Sequence, residues 1–250
     1  MNNKLKAAHK NYNRKKLNKK RKFRFMFSLI CLFITIVGFN LAEGDYVSKL
    51  VNGKENKPFI LQTDSEIVKN DWRLILVNRW NPIPDNYKVS LVKLENGESV
   101  DERIYPDLQE MFDNARNNGI YPMISSGYRT TQTQQNIFDE KLNDFESQDY
   151  SSNEAETLTE KWVAIPGTSE HQIGLAIDVV GEDNNDNAKV QQWLKDNSFK
   201  YGFILRYPSD KAEITGTNFE PWHFRYVGKV NAVKIYESGL CLEDYLESLQ

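Results

Sequence analysis

Ten consecutive residues, Ser169-Glu170-His171-Gln172-Ile173-Gly174-Leu175-Ala176-Ile177-Asp178, set an imidazole and a carboxylate seven positions apart. Further along stand Glu220-Pro221-Trp222-His223, and these two segments hold two of the chain's three histidines. Two imidazoles and one carboxylate form a ligand set that zinc accepts, and a catalytic zinc usually keeps three protein ligands and one open position. His171, Asp178 and His223 would supply the three, with Glu220 as a general base beside them. The chemistry would be hydrolysis, because bound zinc makes hydroxide available near neutral pH. Each residue also has a plainer reading. A histidine beside an apolar strand can be a hydrogen-bonded core residue, Asp178 a turn or capping acid, and Glu220 a surface carboxylate. H-x6-D and E-x-x-H are weak patterns singly; together, in a chain so poor in histidine, they carry more weight.

The elements that must bring these groups together can be read from periodicity and turn residues. Leu175-Ala176-Ile177 is an apolar run, and 175–180 reads as a strand with Asp178 on it; 222–227 reads as another, with His223 near its start. Leu74-Ile75-Leu76-Val77-Asn78 reads as a strand, and Asn81-Pro82-Ile83-Pro84 then blocks regular structure. Residues 89–94 and Ser99-Val100 flank an Asn96-Gly97 turn. Leu108, Met111, Phe112 and Ala115 give a helix over about 106–118 one apolar face, stopped by Gly119. A strand over 121–126 and helices over about 131–144 and 152–162 follow, the last with Ser151 or Ser152 as N-cap. The acidic loop 181–187 lacks the spacing of an EF-hand and reads as solvated surface. A helix over 188–197, a strand over 203–206, a helix over 230–237 ended by Gly239, and a final helical turn or two complete the chain. The irregular alternation with short connections predicts an α+β domain with a central, mainly antiparallel sheet.

Composition divides the chain unequally. Residues 1–24 carry eleven Lys/Arg and no acid, whereas the remainder carries 21 basic and 35 acidic residues. A basic end on an acidic body is no footprint for nucleic acid. Residues 25–42 follow with no charge in eighteen positions, near the ~20 apolar residues that a spanning helix needs. The expected organisation is a cytoplasmic basic tail at 1–24, a single transmembrane helix at 25–42, a stalk at 43–70 and a folded domain at 71–250 facing outward at the cell membrane. A cleaved secretory signal is the competing reading. Cys31 and Cys241 make no disulfide framework, and Cys241 reads as a small buried hydrophobe.

Ser126-Gly127-Tyr128-Arg129, the ten-residue stretch with Pro166-Gly167-Thr168 before it, and Glu220-Pro221-Trp222-His223-Phe224-Arg225-Tyr226-Val227-Gly228 resemble the motifs of the VanY zinc D,D-carboxypeptidases. The resemblance spans about residues 72–246, and three ordered motifs with matching spacing make it specific. It implies zinc as cofactor, His171, Asp178 and His223 as its ligands, and Glu220 as the catalytic base. It implies Arg129 near the substrate, pairing with a peptide C-terminal carboxylate or polarising the scissile carbonyl; a structural pair with a surface acid is the plainer role. Gln134 would help to hold substrate. Ser169 would contact bound peptide, unless it merely caps its loop. Trp222 would wall the site, unless it is core. The implied fold is a small α+β domain with a central antiparallel sheet, shared with the hedgehog signalling domain.

The implied activity is removal of the terminal D-Ala from peptidoglycan stem peptides ending in D-Ala-D-Ala, which would contribute to vancomycin resistance. L,D-carboxypeptidase activity on tetrapeptide stems, dipeptide hydrolysis and a non-catalytic peptidoglycan-binding module are the rivals. Retention of Glu220 with all three ligand residues argues against the last, and the apolar segment argues against a cytoplasmic dipeptide.

Overall fold

The computed structural model describes residues 71–182 and 186–250. The basic tail, the apolar segment and the stalk expected from the sequence lie outside the described residues. Among the described residues no helix is long and apolar enough to cross a membrane.

The domain is an α+β fold with two antiparallel sheets. A hairpin pairs β1 (Leu91–Lys93) with β2 (Ser99–Asp101), turning at Gly97 with φ of 92°. The central sheet has four strands in the order β3-β4-β6-β5: β3 (Pro122–Ser126), β4 (Ala176–Gly181), β6 (His223–Tyr226) and β5 (Phe203–Leu205), each pair antiparallel. Helices α1 (Tyr105–Asn117), α2 (Thr131–Glu146), α3 (Ser152–Thr159), α4 (Asn187–Asn197), α5 (Ala212–Thr215), α6 (Lys229–Ser238) and α7 (Leu242–Ser248) connect and cover these strands. Pro106 occupies the first turn of α1, where its missing N–H is no loss. Ser151 opens α3, its backbone N–H and hydroxyl both donating to Glu154.

Alternation along β4 and β6 sends Ile177, Val179, Phe224 and Tyr226 to one face of the sheet. There they join Leu108, Met111 and Phe112 of α1 and Val190 and Leu194 of α4 in the main core. A second cluster, Leu74, Ile204, Val227, Ala232, Ile235, Leu242 and Tyr245, seats the C-terminal helices. Cys241 is buried and unpaired, as a small hydrophobe would be.

The expected strand over 74–78 is not a strand. Asp71 caps a 3-10 turn at Trp72–Leu74, and the extended residues beyond it join neither sheet. The carbonyls of Arg73 and Ile75 instead accept Nη2 of Arg225 at 3.0 and 2.8 Å. A side chain has taken the place of a neighbouring strand. The apolar character is still used, since Leu74 and Val77 are buried. Short 3-10 turns at Glu170–Ile173 and Ser198–Tyr201, and the one-turn α5, have no periodic signal.

Candidate active site

Cross-strand register places the first pair of groups. Asp178 on β4 and His223 on β6 are direct partners, and opposite residues in an antiparallel pair share a face with their Cβ atoms about 5 Å apart. His171 arrives from the 3-10 turn immediately before β4. Gly174 ends that turn with φ of 72°, and a Cβ there would stand 3.0 Å from the Asp101 backbone nitrogen. Glu220 and His223 are the ends of a tight turn, His223 N–H donating to the Glu220 carbonyl at 3.2 Å. Pro221 sits at the second position, where its fixed φ suits such a turn. The E-x-x-H spacing is therefore a turn closing onto a strand, and both side chains reach one centre.

His171, Asp178 and His223 offer ligand atoms that all lie within 4.8 Å of one another. The Nδ1 of His171 is 2.7 Å from the Gly127 carbonyl. A carbonyl only accepts, so Nδ1 carries the proton and Nε2 presents its lone pair, 3.3 Å from Asp178 Oδ2. Gly127 is held close by the hairpin: a Cβ there would collide with the Ser99 carbonyl oxygen. His223 turns the other way. Its Nδ1 is 3.1 Å from Asp178 Oδ1 and 3.7 Å from Glu220 Oε2, and its Nε2 is 3.4 Å from Glu170 Oε2. The two rings meet edge to face at 4.9 Å.

Burial and close charges shift the titrating groups of this cluster in different directions. Burial pushes the Glu220 carboxyl up, with the charges of Asp178 and Glu170 adding and His223 and Arg129 opposing, to about 7. Burial lowers His171, and Arg129 adds to this against the pull of Asp178, which favours the neutral imidazole that a metal needs. Burial would lower His223 too, but hydrogen bonds to Asp178 and Glu170 raise it to about 9. Burial opposes ionisation of Asp178, yet His171 and His223 hold it well below the usual carboxylate range. Two imidazole nitrogens and a carboxylate, open on one side to a cavity of about 170 Å³, fit the three-ligand pattern of a catalytic zinc.

Arg129, Gln134, Ser169, Glu220 and Trp222 all line that cavity, together with Trp162 and Tyr207. Arg129 donates from Nη2 to Asp178 Oδ2 at 2.6 Å and from Nε to Ser126 Oγ at 2.8 Å. Its carboxylate partner is thus the buried Asp178 of the candidate metal cluster, not a surface acid. Gln134 is fully buried; its amide nitrogen donates to the Ala164 carbonyl at 2.8 Å and its oxygen faces Arg129 Nη1 at 3.4 Å. Ser169 is buried at the start of the 3-10 turn without capping it. Trp222 is half-buried in the cavity wall.

Sequence reasoning gave no role to Glu170, Arg206 or Arg225. All three are buried without solvent contact at their charged groups. Glu170 Oε1 accepts from Arg206 Nε at 2.7 Å and Arg225 Nη1 at 2.8 Å, while its Oε2 faces His223. The available signal was an arginine inside each apolar strand run, Phe203-Ile204-Leu205-Arg206 and Phe224-Arg225-Tyr226, which demands a buried acid.

Comparison with known proteins agrees with this geometry. The family model described as "VanY: D-alanyl-D-alanine carboxypeptidase" matches residues 97–229. A D-alanyl-D-alanine carboxypeptidase of Enterococcus faecalis is 50% identical over 212 residues, 84% of this chain and 75% of the relative. A VanY D,D-pentapeptidase mutant from a VanB-type vancomycin-resistance cassette, solved with Zn(II), is 55% identical with a TM-score of 0.69, over 70% of this chain and 99% of that one. VanYB in complex with D-alanine-D-alanine is 54% identical with a TM-score of 0.71, over 72% and 99%. The LD-carboxypeptidase LdcB is 36% identical with a TM-score of 0.59, over 70% and 86%.

Proposed function

The chain belongs to the VanY family of D-alanyl-D-alanine carboxypeptidases, and from that premise we propose how its own residues perform the reaction. It is a zinc carboxypeptidase, and the proposed substrate is a peptidoglycan stem peptide ending in D-Ala-D-Ala. His171 Nε2, the Asp178 carboxylate and His223 Nδ1 would hold the zinc. When bound, zinc polarises a carbonyl and makes water acidic enough to attack near neutral pH.

Glu220 takes the proton of the attacking water on its carboxylate and returns it to the leaving amine nitrogen. Arg129 is locked by Asp178 and Ser126, and its remaining guanidinium edge pairs with the C-terminal carboxylate of the peptide. Gln134 fixes Arg129 against the 164 loop. Ser169 supplies a hydroxyl contact to bound peptide, and Trp222 walls the cavity.

The observation that carries this reading is the meeting of His171, Asp178 and His223 within 4.8 Å, with Glu220 beside them. The test is mass spectrometry of pentapeptide and tetrapeptide precursors after incubation with the purified full chain, before and after chelation. Loss of one D-Ala from pentapeptide alone, abolished by chelator and restored by zinc, is the expected result. Trimming of the tetrapeptide instead would favour the L,D reading, which the likeness to LdcB keeps in view. Chelator-insensitive cleavage would refute the metal mechanism, and zinc binding without cleavage would leave only a peptidoglycan-binding module.

The proposed location is the outer face of the cell membrane, with residues 25–42 as an uncleaved anchor and 1–24 cytoplasmic. Support comes from eighteen uncharged residues behind a cluster of eleven Lys/Arg. There the enzyme would trim the terminal dipeptide of exported precursors, and so contribute to glycopeptide resistance as its VanB-type relatives' names imply. Alkaline-wash fractionation with protease shaving of intact cells tests this: release by the wash, or protection of the domain from protease, would overturn it.

A further inference from the structure

His171, Asp178, His223 and Glu220 do not stand alone. Behind them lies a buried charged chain that runs from His223 to the C-terminal helix. Glu170 Oε2 stands 3.4 Å from His223 Nε2, the ring nitrogen facing away from the ligand cluster. Glu170 Oε1 is gripped by Arg206 and Arg225. Arg206 then turns its two terminal nitrogens onto Glu243 of α7, at 2.8 and 2.6 Å, and Glu243 also accepts from Asn78 Nδ2 at 3.0 Å. Charges this deep are costly unless each is paired, and here every one is.

We propose that Glu170 is a positioning residue for the metal site, accepting the Nε2 proton of His223 so that Nδ1 faces Asp178, and that the Arg206–Glu243 pair holds Glu170 in place from the C-terminal helix. The proposal rests on the assignment of His223 as a zinc ligand. A ligating imidazole is oriented by the acceptor on its other nitrogen. His171 has such an acceptor in the Gly127 carbonyl, and His223 has Glu170. Glu170 adjoins His171 in sequence but its side chain serves the other histidine. One 3-10 turn therefore supplies a ligand and the anchor of the second ligand.

The experiment is zinc affinity of the full chain by competition with a chromophoric chelator, paired with the visible spectrum of the cobalt(II)-loaded protein. Glu170→Gln should weaken zinc by about 10–100-fold and shift the cobalt bands, because the ring of His223 is no longer held. Glu170→Asp keeps a negative charge for both arginines but withdraws it from Nε2, so it should show the same band shift with the fold intact. Glu243→Gln, which touches no ligand, should weaken zinc by a few-fold and is the deciding variant if neither Glu170 variant folds. Zinc affinity within twofold of wild type and an unchanged cobalt spectrum in the folded variants would overturn the proposal. Failure of the wild-type chain itself to bind zinc would instead sink the ligand assignment on which it stands.

Discussion

Strands β4 and β6 present two faces built from adjacent residues, and the faces obey different rules. On one side Ile177, Val179, Phe224 and Tyr226 pack into the main core. On the other, Asp178 faces His223 and Ala176 faces Arg225. Apart from the Tyr226 hydroxyl, which donates to Asp107 Oδ2 at 2.6 Å, the apolar face needs shape and volume, so its members are interchangeable within limits of packing. On the polar face each charge needs a named partner at a set distance, and small Ala176 opposite Arg225 leaves room for the guanidinium to reach Glu170. One face stabilises the sheet; the other uses the rigidity so gained to hold groups that would not meet by themselves.

If that division is right, substitutions on the polar face should remove function far more than stability. Asp178→Asn should have the largest effect. It would take away the carboxylate of the candidate ligand set and also the partner that Arg129 Nη2 donates to at 2.6 Å. Loss of an outer partner alone costs about 10–100-fold in metal affinity, so loss of Asp178 should exceed that and leave D-Ala release below detection. Zinc titration with a urea transition on the same sample checks it. Retention of stoichiometric zinc and turnover would remove Asp178 from the ligand set.

Glu220→Gln probes the same face without touching the ligands. The side chain is nearly isosteric and its neighbours stay in place, but it cannot carry a proton. A fall in kcat of roughly 10²–10⁴-fold is expected, with zinc stoichiometry unchanged. A comparable fall in zinc content would show instead that Glu220 is part of the metal's grip.

The other face reverses the pattern. Phe224→Ala, one residue from His223, should cost about 3–5 kcal/mol of stability because it opens a cavity in a fully buried position. The folded fraction should keep zinc affinity within a few-fold. Urea unfolding followed by activity well below the midpoint separates the two effects. If Phe224→Ala abolished turnover in fully folded protein, the two faces would not be independent.

How much of this was legible beforehand follows the same divide. Elements built on periodic apolar residues were readable: α1 with its stripe Leu108, Met111, Phe112 and Ala115, the strands flanking Asp178 and His223, and the Asn96-Gly97 hairpin. The clustering of His171, Asp178 and His223 beside Glu220 is legible because histidine is scarce and the motifs carry a family pattern. The supporting charges are not, because their partners are 36, 37 and 55 positions away, and an arginine in a strand does not state which acid it meets. The 74–78 segment departs from the expected strand for the same reason. Its apolar residues signal burial correctly, but the acceptors it offers are used by Arg225, which local sequence does not reveal. Gln134 is named as a substrate contact by the resemblance, but its burial and its bond to the Ala164 carbonyl, 30 positions away, have no local signal.

The smallest expected effect lies where the polar face meets the C-terminal helix. Burial pushes the Glu243 carboxyl up, but the charge of Arg206, with hydrogen bonds from Arg206 and Asn78, outweighs burial and sets it below the ordinary value. Arg206 faces it from the end of β5 and shares its other side with Glu170; the nearby Lys211–Asp244 pair, at 3.6 Å, is already neutralised. A carboxyl depressed on folding stabilises the protein at pH above its unfolded value, about 4.3, and that contribution is lost as pH falls through the folded value. Glu243→Gln keeps the shape and some of the hydrogen bonding but cannot titrate. It should therefore cost about 1–2 kcal/mol at pH 7, with the gap from wild type closing as the acid limb is descended. Urea midpoints at pH 7 and pH 3 read this directly. An equal loss at both would assign the effect to docking of α7 rather than to charge, and the polar face would then end at Arg206.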